Sequence, residues 1–170
     1  MTAYLETLEM FPEKKRCYVD ETGSHVYYDR EYAYAPRGEQ VIGETCGRKF
    51  GRTNLVAAQI DGKNVAPMYY PWHTDAIVFE YWFEERLMPL LPAGSVIIMD
   101  NASFHRKGVL RNIASRHGVM VLFLPAYSPE YNPIEKLWAN IKRWLKKNLR
   151  NYDSFEDALE AAIDAYFEVG

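Results

Sequence analysis

Three acidic residues of this chain, Asp20, Asp100 and Glu135, have the type and placement that metal-assisted chemistry requires. Asp20 ends the short run Arg16-Cys17-Tyr18-Val19-Asp20, and Asp100 ends Ser95-Val96-Ile97-Ile98-Met99-Asp100. Glu135 falls in the first turn of a predicted helix, after Tyr127-Ser128-Pro129-Glu130-Tyr131-Asn132-Pro133-Ile134. Carboxylates at two strand ends and one helix start can converge in space. Three such groups suit two Mg²⁺ ions, and a pair of ions is one way to cut a phosphodiester. The pattern points to a nucleic-acid-processing enzyme.

Each acid also has a purely structural explanation. Asp100 or Asn101 can cap the helix that follows. Asn132-Pro133-Ile134-Glu135 has the form of a capping box. Asp20 is followed by Glu21, and neighbours on a strand face opposite ways, so only one of the two can face the site. Alternation alone leaves the choice between Asp20 and Glu21 open. Asp29, Asp61 and Asp75 fit loop, turn and cap positions. His25, His73, His105 and His117 are scattered without zinc-ligand spacing. His105 alone lies near a proposed ligand, where it either meets substrate or packs at the helix start. No Walker loop, nucleophile elbow or dinucleotide fingerprint is present.

The elements that must position these acids follow from hydrophobic periodicity. A first strand is expected at about 16–21, then an irregular, aromatic-rich stretch to residue 51. A hairpin follows, Thr53 to Ile60 and Asn64 to Tyr70, joined by Asp61-Gly62-Lys63. Thr74 or Asp75 caps a helix to about Leu91, with Ile77, Val78, Tyr81, Trp82, Leu87 and Met88 as its apolar stripe. After the Asp100 strand come a helix at about 104–117, stopped by Gly118, and Val119 to Leu124, read as a strand buried on both faces. Asn132 caps the next helix, with Pro133 in its first position. The last helix, 154–168, starts at Ser154. Hairpin plus alternating strands and helices gives one α/β domain over 1–170, with a mixed five-stranded sheet flanked by helices.

Composition is that of an ordinary globular domain, and no run approaches the roughly 20 apolar residues of a membrane span. Without a signal peptide, Cys17 and Cys46 are expected as reduced thiols of a cytoplasmic protein. The net charge of −3 hides an asymmetry. Residues 101–150 carry ten basic and two acidic residues, whereas 151–170 carry six acidic and none basic. A basic block beside a metal site suits a polyanion, although a solvated helix face would look the same. At 100° per residue, Lys142 and Lys146 lie within about 20° of Glu135 around the helix axis, so a phosphate backbone could track that edge. Lys136, Lys142, Arg143, Lys146 and Lys147, with His105 and Arg106, are the candidate DNA contacts.

Three blocks carry a family resemblance: Tyr18-Val19-Asp20-Glu21-Thr22-Gly23, Ile98-Met99-Asp100-Asn101-Ala102-Ser103-Phe104-His105, and Tyr127 to Trp138. In order, and with 34 residues between Asp100 and Glu135, they resemble the signature of bacterial insertion sequence 630 transposases and their mariner-like relatives. Ala35-Pro36-Arg37-Gly38 and Gly51-Arg52-Thr53 also resemble family features. The resemblance implies a ribonuclease-H-like fold with the first and fourth strands adjacent, and an acidic triad at Asp20, Asp100 and Glu135. It also implies two Mg²⁺ ions replaceable by Mn²⁺. The implied activity is endonucleolytic cleavage at transposon ends, then transfer of the freed 3′-hydroxyl into target DNA. The implied partners are terminal inverted repeats, target DNA and a second copy of the chain, in a nucleoid-associated bacterial setting.

In mariner-like relatives the segment matching 22–51 forms a clamp that pairs subunits. Members of the group also carry an N-terminal helix-turn-helix region, for which the roughly fifteen residues before the first expected strand leave no room. We therefore expect either a catalytic fragment or one product of a split reading frame whose end-binding part is separately encoded. Two other readings compete: a non-catalytic DNA-binding or dimerising product that regulates transposition, and a generic ribonuclease-H-like nuclease.

Overall fold

The computed structural model describes residues 2–24, 53–126 and 128–167. Helix α1 (Thr2–Glu9) leads into β1 (Arg16–Ser24), then the hairpin β2 (Thr53–Ile60) and β3 (Lys63–Tyr70). Next come α2 (Ala76–Tyr81), β4 (Val96–Met99), α3 (Lys107–Arg116), β5 (Met120–Phe123), α4 (Ile134–Asn148) and α5 (Phe155–Tyr166). The expected clamp segment lies, beyond Ser24, outside the described residues. Thr22, Gly23 and Ser24 themselves belong to β1 and pair with Leu55, Asn54 and Thr53.

The five strands form one sheet in the order β3-β2-β1-β4-β5. The three strands β3, β2 and β1 run antiparallel, and β1, β4 and β5 run parallel. Asp61 (φ 52°) and Gly62 (φ 72°) turn the hairpin. Two successive positive φ values match the twist of the flanking strands, so Lys63 already pairs with Ile60. At the sheet edge, β3 carries Pro67 and a bulge opposite Val56–Ala58, a device that spoils further strand pairing.

Side-chain alternation sorts the sheet into two faces. Cys17, Val19, Val56, Ala58, Ile97, Met99 and Val121 pack with Phe79, Trp82, Phe83 and Leu87 and with α3. On the other face, Leu55 and Ala57 pack with Ile134, Trp138, Ile141 and Leu145 of α4 and with Phe155, Leu159 and Ala162 of α5. Val96 and Ile98 meet Tyr4 of α1 and Leu124. The interior strand β4 is sealed from solvent on both sides.

Two sequence expectations need correction. Strand β5 is not buried on both faces, because Met120 is 46% exposed and β5 is the sheet edge. The apolar run reads alike in an edge and a central strand. Likewise, the helix after the hairpin does not keep one 3.6-residue stripe. Asp75 caps it, its Oδ1 accepting from the Val78 N–H at 2.9 Å. The chain then widens into a π-helical turn over Trp82–Leu87 and tightens over Met88–Leu90. Widening rotates the later side chains relative to the earlier ones. Phe79, Trp82, Phe83, Leu87 and Met88 are therefore buried, whereas Ile77 and Tyr81 face solvent.

Candidate active site

Parallel pairing of β1 with β4 sets the first part of the site. Tyr18 lies opposite Ile98, and each strand reaches an aspartate two residues later, Asp20 and Asp100. The same offset keeps both acids on the face of Tyr18 and Ile98. Helix α4 crosses that face and presents Glu135 from its first turn. The three acids line one cleft of about 370 Å³ with Asn101, Ser128 and Asn132. This is the carboxyl end of the parallel strands, where open α/β sheets present their ligand sites.

The structural alternatives fare poorly. Helix α3 starts at Lys107 without a side-chain cap, so neither Asp100 nor Asn101 serves that role. In the proposed capping box, the Asn132 N–H bonds the Pro129 carbonyl at 3.0 Å, not Glu135. Asn132 Oδ1 does reach the Ile134 N–H, at 3.4 Å. Its amide also donates to the Val19 carbonyl at 3.3 Å, tying the start of α4 to β1 one residue before Asp20.

Burial dominates the electrostatics. It pushes the Asp20 carboxyl up to about 7, helped by the charges of Glu135 and Asp100. Bonds from the Glu21 backbone N–H and the Trp138 indole oppose the rise; the indole Nε1 donates to Asp20 Oδ2 at 3.0 Å. Glu21, on the opposite face as expected, is not a surface residue. Burial, then the charges of Asp100 and Asp20, push it up to about 8. Such perturbation where like charges crowd in a cleft marks a functional-site candidate.

The candidate DNA contacts divide. His105 is withdrawn from the surface, its side chain 1% exposed. Its ring packs 4.4 Å from that of Phe79 and 4.3 Å from that of Phe104. Nε2 reaches Asp100 Oδ1 at 3.1 Å and lies 3.7 Å from Glu21 Oε1. As placed, His105 meets an acid of the cleft. Arg106 is engaged by Glu80 through two hydrogen bonds, at 2.7 and 2.5 Å. Lys136, Lys142, Arg143, Lys146 and Lys147 are all on the solvent side of α4, with Arg143 bonded to Asn140 at 3.2 Å. In the sequence, Trp138 figures only as the end of the third signature block and Asn132 only as a helix cap, not as a tie to β1. An indole N–H one turn after Glu135 on a buried face was the available signal, since buried indoles seek an acceptor.

Hard carboxylate oxygens suit Mg²⁺ or Mn²⁺. The donors therefore fit a divalent ion in kind, and a cation in the cleft would offset the burial of Asp20 and the smaller repulsion from Glu135 and Asp100. Among the described residues, no three His, Cys, Asp or Glu side chains stand together as a group that could hold a metal ion. Cys17 is buried beneath the sheet, where burial pushes its thiol up; it is an inert packing residue.

The sheet order and the helices on both faces define a ribonuclease-H-like fold of the kind found in transposase and integrase cores. A Mos1 mariner paired-end complex with Mn is 16% identical, with a TM-score of 0.66, covering 97% of this chain and 52% of that one. The catalytic domain of Mos1 mariner transposase is 15% identical at a TM-score of 0.62, covering 97% and 76%. The catalytic core of BIV integrase is 14% identical at 0.58, covering 92% and 86%. No curated protein sequence matches the chain. The chain belongs to the family of DDE superfamily endonucleases, whose model matches residues 15–158. It spans about half the length of the Mos1 transposase chains in the paired-end complexes.

Proposed function

We propose that this chain is the catalytic domain of a transposase that cuts DNA at transposon ends and joins the freed 3′-hydroxyl to target DNA, using divalent metal ions. One observation carries the reading. Asp20, Asp100 and Glu135, distant in sequence, line one cleft at the carboxyl end of β1 and β4. The family and the likeness to Mos1 paired-end complexes support a DNA substrate.

Asp20, Asp100 and Glu135 would hold the ions, which supply a Lewis acid and an activated oxygen nucleophile when bound. The protein's part is positioning. Buried β1 and β4 fix the two aspartates, and Asn132 fixes where α4 brings Glu135. The lysines further along α4 offer a phosphate backbone a path away from the cleft. A second copy would complete the assembly.

The test is a substrate comparison. Purified protein, fused to an end-binding domain, is given DNA bearing the inverted repeats that flank its coding sequence, unrelated DNA and an RNA–DNA hybrid, with Mg²⁺ or Mn²⁺. Cutting at the repeat ends supports the transposase reading. Preferential cutting of the hybrid makes it a general nuclease, and carboxylate-independent DNA binding without cutting makes it a regulator.

A further inference from the structure

Each aspartate of the cleft is tied by one aromatic ring N–H. Trp138 Nε1 donates to Asp20 Oδ2 at 3.0 Å, and His105 Nε2 lies 3.1 Å from Asp100 Oδ1. The two donors come from opposite faces of the sheet. Trp138 is 2% exposed and belongs to the α4–α5 core. His105 is packed on the other side between Phe79 and Phe104.

We propose that Trp138 and His105 are positioning residues that fix the rotamers of Asp20 and Asp100 for metal binding. The inference rests on the metal-site reading above and adds the groups that orient it. A ring clamped by packing holds its N–H in a fixed direction, so the carboxylate that accepts from it loses rotational freedom. One oxygen of each aspartate faces the ring donor, and Asp20 also accepts from the Glu21 backbone N–H. Outer partners of ligating carboxylates tune metal affinity in this way.

For His105, the packing also argues for a tautomer. Nδ1 is buried with no hydrogen-bond partner, whereas Nε2 faces two acids, Asp100 at 3.1 Å and Glu21 at 3.7 Å. Facing acceptors, Nε2 carries the proton. Glu21, on the same face as His105, thus backs the imidazole from beneath.

The arrangement is tested by calorimetric Mn²⁺ titration of the protein without DNA, with unfolding temperatures recorded in parallel. Trp138→Phe keeps a ring and deletes the donor. His105→Phe does the same between Phe79 and Phe104, whereas His105→Gln can keep a donor at the Nε2 position. Both phenylalanine variants should bind Mn²⁺ about tenfold or more weakly, and His105→Gln should bind close to wild type. Folded phenylalanine variants that bind Mn²⁺ as the wild type does overturn the proposal.

A second readout needs no variant to fold. In a ¹⁵N spectrum of the wild type, Mg²⁺ should shift the indole N–H of Trp138 more than those of Trp72, Trp82 and Trp144. A Trp138 signal that stays still while Mg²⁺ binds also overturns the proposal. Asp20→Asn separates the two levels. Unchanged Mn²⁺ binding in that variant refutes the metal site itself, whereas weakened binding there with normal binding in Trp138→Phe refutes only the positioning role.

Discussion

Tyr18 on β1 lies opposite Ile98 on β4 in parallel register, and this one pairing aligns the two aspartates that follow. Register is strict here because β4 is buried on both faces and β1 buries Cys17 and Val19 on one of its own. A slip of one residue would turn Asp20 toward Phe79 and Trp82 and expose Val19 to the cleft. The pair therefore carries more of the site than any contact between the acids.

The raised carboxyls make stability depend on pH. Asp20 and Glu21 bind a proton more tightly in the folded chain than in the unfolded one, with values near 7 and 8. Their contribution is full below the ordinary carboxylate range and is lost as pH rises through those values. Without metal, the unfolding temperature should fall between pH 5 and 8.5. Glu21→Gln should flatten that slope, and Mg²⁺ should restore stability at the alkaline end. A scan of unfolding temperature against pH, with and without Mg²⁺, checks all three; an unfolding temperature that rises over this range rules the burial account out.

Helix α5 is expected to be structural. Phe155 is fully buried in the core shared with α4, so Phe155→Ala should cost about 3–5 kcal/mol. Chemical denaturation measures it. A loss under about 1 kcal/mol would mean that α5 is not part of this core.

The basic edge of α4 makes a salt-dependent prediction. If DNA runs along it, Lys142→Ala should weaken binding similarly for all sequences and lower the slope of log affinity against log salt by about one. Fluorescence anisotropy at several salt concentrations reads the slope. An unchanged slope removes Lys142 from the path.

Much of this site was legible from sequence because its acids sit at chain positions that local pattern marks. Asp20 and Asp100 end apolar runs, and Glu135 follows Asn132-Pro133. Strand pairing was not legible that way, since nothing local in Arg16–Asp20 names β4 as a neighbour. The family resemblance supplied it. What escaped were roles made by tertiary packing. Trp138 has no role of its own in the sequence until β1 brings Asp20 under its indole, and His105 stays undivided between substrate contact and packing until Phe79 and Phe104 close on it. Ile77 and Tyr81 were misplaced because a π-helical turn breaks the period on which the expectation rested.

The central claim is that Asp20, Asp100 and Glu135 form one metal-dependent DNA-cutting site. The most direct measurement compares strand cleavage of transposon-end DNA by the wild type with that by Asp20→Asn, Asp100→Asn and Glu135→Gln, each shown to be folded. The account predicts Mg²⁺-dependent cleavage by the wild type and a loss on the order of 10²-fold or more in every variant. Undiminished cleavage by any one of the three would contradict it.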